Sequence, residues 1–426
     1  MTRAQPSRHR LALAVAAALA VSVSTLTAVP AVAAPGPDAT PTAAVAANTG
    51  TAAALELVKE SVPHLVDFRL RSGDVDFVWE FTTTQVVKVR LELTHTASGK
   101  KKTIEGATDG RAALRWYGFF DDFTTAYNGA YTWRMTATSV DGTDPSVERT
   151  GALTVDSGQA PHNFSDSGSP DLLVRGNDNL YMFDGRKALE FAHTGVPTAT
   201  NAGAGWAAYD RVLTPGNVSG ARYSDLVTRD RTGTLWIHPG TGDAAAPFAP
   251  PVRVGGGWNT YNDITGSGDL DGDGRPDLVA ADKTGALWFY RGTGNSAAPF
   301  APRRKTGHGW DIYNKLVATG NIGGNPTGDL VARDKAGVLW LYLGKGDGTL
   351  AARTRIGGGW NAFNEIVAVG DSNRDGRPDL LANGRTGHLD STLALYRGTG
   401  DWKVPFAPRA GATTILPAPG WYSTLF

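Results

Sequence analysis

The sequence predicts an all-β protein: a five-bladed β-propeller of four-stranded blades, preceded by a small β-sandwich. The first observation is Asp-Leu, which recurs at Asp171, Asp225, Asp277, Asp329 and Asp379 with spacings of 54, 52, 52 and 50 residues. The second is Gly-Trp, at Trp206, Trp258, Trp310, Trp360 and Trp421, with spacings of 52, 52, 50 and 61. Two independent markers sharing a period near 50 imply propeller blades. The third is composition: 53 Gly and 12 Trp among 426 residues call for tight turns between short aromatic strands.

Each repeat reads as four strands, the blade of a propeller rather than the unit of an open solenoid. The Gly-Trp marker opens the first, as in Trp360–Val369. A Gly/Asp-rich loop leads to the second, Asp329–Arg333, and the turn Asp334-Lys335-Ala336-Gly337 to the third, Val338–Tyr342. A fourth is signalled by Phe300-Ala301-Pro302-Arg303, with Phe-Ala-Pro again at Phe248 and Phe406. The array therefore spans 161–426. Its first repeat lacks a Gly-Trp strand and its end carries a spare one, Gly420–Phe426, which is expected to complete the first blade.

Ahead of the array, residues 1–33 read as a signal peptide. Arg3, Arg8 and Arg10 form a basic start, Leu11–Val23 an apolar run too short to cross hydrocarbon, and Ala31-Val32-Ala33 a cleavage site. This predicts secretion, with no transmembrane segment in the mature protein. Ala, Pro and Thr dominate 34–54, a linker composition. Residues 55–157 alternate apolar and polar in Val86–Leu93 and Tyr131–Ala137, with an Asp141-Gly142 turn, which suits a sandwich of short strands.

Two repeat loops carry chemistry. Asp269-Leu270-Asp271-Gly272-Asp273-Gly274-Arg275-Pro276-Asp277 places carboxylates at positions one, three, five and nine. Asp371-Ser372-Asn373-Arg374-Asp375-Gly376-Arg377-Pro378-Asp379 repeats the scheme with Asn373 third. Calcium takes six to eight oxygen ligands, which alternate side chains of a tight loop can supply. The position-seven carbonyls of Arg275 and Arg377 are further candidates, and glycine at position six allows the sharp turn. Without a cation the carboxylates would repel one another, so two structural calcium sites are expected. No glutamate stands at position twelve and no flanking helices are indicated, which excludes an EF-hand. The loops beginning at Asn163, Asn217 and Asn321 have lost most of their acids and are expected to hold their turns by hydrogen bonds.

The array resembles the FG-GAP/VCBS repeat family, which includes integrin α-chain propellers and many secreted bacterial proteins. The resemblance covers 161–426, and the two intact loops are its most specific feature. It implies structural calcium held by Asp269, Asp271, Asp273, Asp277, Asp371, Asn373, Asp375 and Asp379, and a role in adhesion or recognition. The segment Trp116-Tyr117-Gly118, Asn128–Trp133 and Gly151–Val155 resembles bacterial Ig-like domains of the flagellar-hook-cap type, which implies an Ig-like spacer module.

Partners are expected to be a glycan or an extracellular protein. Forty-one basic against 41 acidic residues leave no basic face for nucleic acid. Trp236, Trp288 and Trp340 share one repeat position, filled elsewhere by Tyr181 and Ala394; sugar stacking there is conceivable, but blade packing is the favoured reading. No cysteine, no His pair at metal-ligand spacing, no G-x-S-x-G and no phosphate loop is present. The chain is therefore expected not to be an enzyme. The alternatives are a lyase or glycosidase with carboxylates in the propeller funnel, and a purely structural surface protein.

Overall fold

A computed structural model describes residues 55–68, 74–83, 85–142, 145–158, 161–186, 199–266, 268–384, 392–409, 413–414 and 422–426. The signal-peptide and linker readings and Trp421 lie outside the described residues. Among those residues no helix is long and apolar enough to cross a membrane.

The N-terminal module is two sheets around one core. One orders Glu56–Ser61, Val75–Thr82 and Arg111–Trp116; the other orders Leu65–Val66, Val147–Val155, Gly129–Ser139, Val87–His95 and Lys101–Thr108. The predicted alternation is real. Val87, Val89, Leu91 and Leu93 point inward with Tyr131, Trp133 and Met135, while Lys88, Arg90, Thr132 and Arg134 face out.

The repeats fold as five four-stranded antiparallel sheets, an arrangement consistent with a propeller. The third is representative: Tyr261–Gly266, Leu278–Asp282, Leu287–Tyr290 and Arg304–Gly307, paired in that order. Two expectations are corrected. Gly-Trp does not open a strand: Trp258–Thr260 is a single 3-10 turn, entered through Gly257 at φ 86°, and the strand starts at Tyr261. That turn carries the indole into the core between the second and third sheets. Phe300 does not open the fourth strand either; it makes one isolated bridge to Gly292, and the strand begins only at Arg304, beyond Pro302.

Both faces of each repeat sheet are buried, so successive side chains enter different cores. Leu278 and Ala280 pack toward the second sheet, Val279 and Ala281 toward the fourth. Five such clusters each join two successive sheets, and the last joins the fifth sheet to the first. The first sheet orders Ala199–Asn201, Asn179–Phe183, Leu172–Gly176 and Thr424–Leu425. The C-terminal strand thus supplies the strand that its own N-terminal repeat lacks, with Leu425 opposite Val174. Burying Tyr422 and Leu425 in the seam with the fifth sheet holds the last strand against the first sheet.

The two-sheet module docks on the first repeat. The buried Arg186 guanidinium donates to the carbonyls of Tyr117 (2.7 Å) and Gly118 (3.1 Å) and lies over the Phe119 ring. Asn128 donates to the Asp166 carboxylate at 3.1 Å and accepts the Ser157 amide at 2.6 Å. The Arg186 and Asn128–Asp166 bonds cross the junction and hold it, while the Ser157 bond braces Asn128 within the module.

Candidate metal loops and channel

The loop 269–277 leaves the strand Tyr261–Gly266 and enters Leu278–Asp282. Gly272 and Gly274 take φ 80° and 84°, a left-handed conformation that side chains resist, and this curls the loop inward. One carboxylate oxygen each of Asp269, Asp271 and Asp273 then falls within a span of 4.8 Å. Asp269 accepts the amides of Gly272 (2.7 Å), Asp273 (3.0 Å) and Gly274 (2.8 Å), which lock the curl. Burial, then the facing charge of Asp273, raises the Asp271 carboxyl above its ordinary value. Three crowded all-oxygen donors with one proton affinity raised fit a hard cation such as calcium.

The loop 371–379 repeats the curl. Asp371 accepts the amides of Asp375 (3.1 Å) and Gly376 (2.7 Å), and Asn373 accepts that of Asp375 (3.0 Å). Burial, aided by the Asp375 charge, raises Asp371. The amides of Arg275 and Arg377 donate back to Asp273 (3.0 Å) and Asp375 (3.1 Å).

Asp277 and Asp379 are held by backbone amides on both carboxylate oxygens. Asp277 is fully buried; one oxygen accepts the Leu270 amide and the other the Gly292 amide, both at 2.8 Å. Asp379 does the same with Ser372 (3.0 Å) and Gly398 (2.8 Å). So do their counterparts in loops that have lost their other acids: Asp225 accepts Val218 (2.8 Å), Ser219 (2.7 Å) and Gly240 (2.9 Å), and Asp329 accepts Ile322 (3.0 Å) and Gly344 (2.9 Å). The Asp of every Asp-Leu marker therefore pins its loop by hydrogen bonds. Burial pushes Asp277 up to about 7 and Asp329 up to about 6.

The sequence reading missed a set of seam arginines. Arg229 donates to the carbonyls of Trp258 and Tyr261 in the next sheet, both at 3.0 Å, and Arg333 reaches Trp360 (3.0 Å) and Phe363 (2.6 Å) likewise. They satisfy the ends of the 3-10 turns that Gly-Trp builds. The signal was an Arg four residues after Asp-Leu, present at Arg175, Arg229 and Arg333 but broken by Ala281 and Asn383.

The first strands of the sheets line one channel, where Arg211, Asp263, Lys315 and Glu365 occupy one repeat position, with Thr424 on the closing strand. The signs alternate around the ring. The acids are tied to the next sheet: Asp263 accepts the Leu316 amide at 2.6 Å, and Glu365 the Leu425 amide at 2.8 Å. Burial raises Glu365 to about 7. A carboxyl that keeps its proton to pH 7 when folded, yet loses it near 4.5 unfolded, makes folding take up a proton in that window. Stability is therefore fully supported below the lower value and falls as pH rises through the upper one. Urea midpoints at pH 5 and 8, in buffer containing calcium, should show this loss, and Glu365→Gln should shrink it; equal pH dependence in both proteins would contradict the assignment.

Both tryptophan sets are engaged. Trp206, Trp258, Trp310 and Trp360 are buried, three of them against Tyr290, Tyr342 and Tyr396 at 4.6 to 4.8 Å. Trp236, Trp288 and Trp340 donate through Nε1 to Asp230, Asp282 and Asp334. Guanidinium groups of Arg303 and Arg353 cover the rings of Trp288 and Trp340 at 4.0 and 4.1 Å. The first set is packed in the cores between sheets, while Trp236, Trp288 and Trp340 stay half-buried.

Residues 269–332 and 324–382 match the FG-GAP-like repeat family, so the chain carries FG-GAP-like repeats around both acidic loops. No curated protein matches the chain. Among solved structures, AofleA from Arthrobotrys oligospora is similar at a TM-score of 0.31 and 11% identity, covering 84% of this chain and 96% of its own. Murine CRIg is similar at a TM-score of 0.14 and 17% identity, over 24% of this chain and 95% of its own. Likenesses this distant carry no argument.

Proposed function

We propose that the chain is a secreted, calcium-stabilised binding or adhesion protein, a five-bladed propeller behind an Ig-like sandwich, which recognises a glycan or an extracellular protein and catalyses no reaction. The observation that carries this reading is the loop 269–273, whose three carboxylates crowd within 4.8 Å inside an FG-GAP-like repeat. Asp269, Asp271, Asp273, Asp371, Asn373 and Asp375 would hold the metal. The carbonyls of Arg275 and Arg377 would add oxygens. Asp277 and Asp379 would serve as ligands or as the second layer that positions the loops. Calcium supplies charge neutralisation and rigidity, and no chemistry.

Binding that favours the folded state stabilises it by about 3 kcal/mol per site at a hundredfold excess over Kd. Chelation should therefore lower Tm, and Asp273→Ala should remove part of that response. An identical melting curve in EDTA, with no calcium found by elemental analysis, would refute the calcium reading. A glycan array on the mature protein tests the ligand class.

One observation favours the alternative of a funnel glycosidase or lyase: Asp263 and Glu365 share the channel. Against it, each already accepts a backbone amide of the next sheet, a role in fixing the ring. Turnover of polysaccharide that Glu365→Gln abolishes would reverse the choice.

A further inference from the structure

We propose that calcium in the loop 371–379 works through Arg374 as a clamp, tying the ring seam to the N-terminal module. This rests on the calcium reading of that loop.

Arg374 lies between two of the proposed ligands, Asn373 and Asp375, and holds φ 59°. The matching place in the other loop is Gly272 at φ 80°. A side chain in the left-handed region is strained, so an arginine there needs a compensating contact. Its guanidinium leaves the loop and donates to the Phe68 carbonyl of the two-sheet module and to Ser169 Oγ of the first repeat, the latter at 2.8 Å. One side chain thereby joins the fifth sheet, the first repeat and the module.

The arrangement follows from the repeat geometry. Ser169 holds the loop position of Thr327 in the fourth repeat, and a Cβ built on Gly272 would sit 3.8 Å from Thr327. Position four of each acidic loop thus faces position seven of the next repeat. Only in the fifth repeat does an arginine use that approach, and only there does the next neighbour include the module. Phe68 is firmly held: it is buried, lies edge-on to Trp116 at 5.1 Å, and its amide donates to Ser157 Oγ at 3.1 Å.

The coupling is mechanical. Asp371 and Asp375 repel across the loop, and a cation between them would fix the backbone that aims Arg374. Without the cation the loop relaxes and the guanidinium loses its aim. The Arg186 and Asn128 bonds remain, so the junction loosens rather than separates.

Hydrogen exchange on the full chain, with calcium and with EGTA, tests this at the amide of Phe68, the residue whose carbonyl Arg374 binds. The expected result is about tenfold faster exchange without calcium, the signature of local opening. Arg374→Gly, which relieves the φ, should keep two calcium ions per chain yet exchange fast in both conditions. Asp375→Ala should lose one ion and behave as calcium-free at the junction. Asp273→Ala should also lose one ion but keep the junction responsive. If the wild type binds two ions and its junction exchanges equally in both conditions, the clamp is wrong and the calcium reading stands. If elemental analysis finds no calcium, both fall.

Discussion

Removing Tyr422–Phe426 should cost the folded state about 5 kcal/mol or more, enough to unfold the repeat region near ambient temperature. Three losses combine. Tyr422 and Leu425 leave the core shared by the fifth and first sheets, where Tyr422 meets Tyr181 and Phe183 edge-on at 5.5 and 5.7 Å. The strand Leu172–Gly176 loses one of its two partners and becomes an open edge, exposed to pairing with other chains. Glu365 loses the Leu425 amide and is left in the channel without that donor. Urea unfolding followed by tryptophan fluorescence should show a midpoint far below that of the full chain, and sedimentation should show aggregation. Leu425→Ala should fall between, at about 2–4 kcal/mol. A truncated protein with the parent midpoint would mean that the ring does not depend on this strand.

The repeat sheets were legible because a period near 50 fixes where strands must fall, and because a seam core buries both faces and so writes apolar runs such as Leu330-Val331-Ala332. The closing strand was legible as an imbalance: a repeat without a first strand and a strand without a repeat. Element starts were less so. Gly-Trp looks like the head of a strand, and only the φ 86° at Gly257 converts it to a 3-10 turn. The seam arginines left only a broken trace, an Arg four residues after Asp-Leu in three repeats. Their role and that of Arg374 were not visible, since each acts on the next repeat or on the module and adjacency around a ring is not written in local sequence. Arg374 did leave one mark. It stands where the sister loop has glycine, an exchange that turn chemistry disfavours.

Asp225→Ala should destabilise the protein by about 3–5 kcal/mol whether or not calcium is present. The second repeat has lost the acids of positions one, three and five, so no cation can be credited with the effect. Asp225 is fully buried, and its two oxygens accept the amides of Val218, Ser219 and Gly240 and the Ser219 hydroxyl, between 2.7 and 3.0 Å. Alanine leaves those donors facing a small void, and each buried donor without an acceptor costs about 1–3 kcal/mol. Relaxation and entering water recover part of the sum. The persistence of this Asp in all five repeats, including the three without acids at positions one, three and five, is what a pin requires and a metal ligand does not. Asp225→Asn tests the acceptor role from the other side: its carbonyl keeps one set of bonds while its NH2 faces donors, so it should lose at least half as much as alanine. Asp277→Ala should lose a similar amount in EDTA and more in calcium if that side chain also holds the ion. Denaturation midpoints of the three variants in both buffers decide it; an Asp225→Ala protein as stable as the wild type would show that these bonds merely accompany the fold.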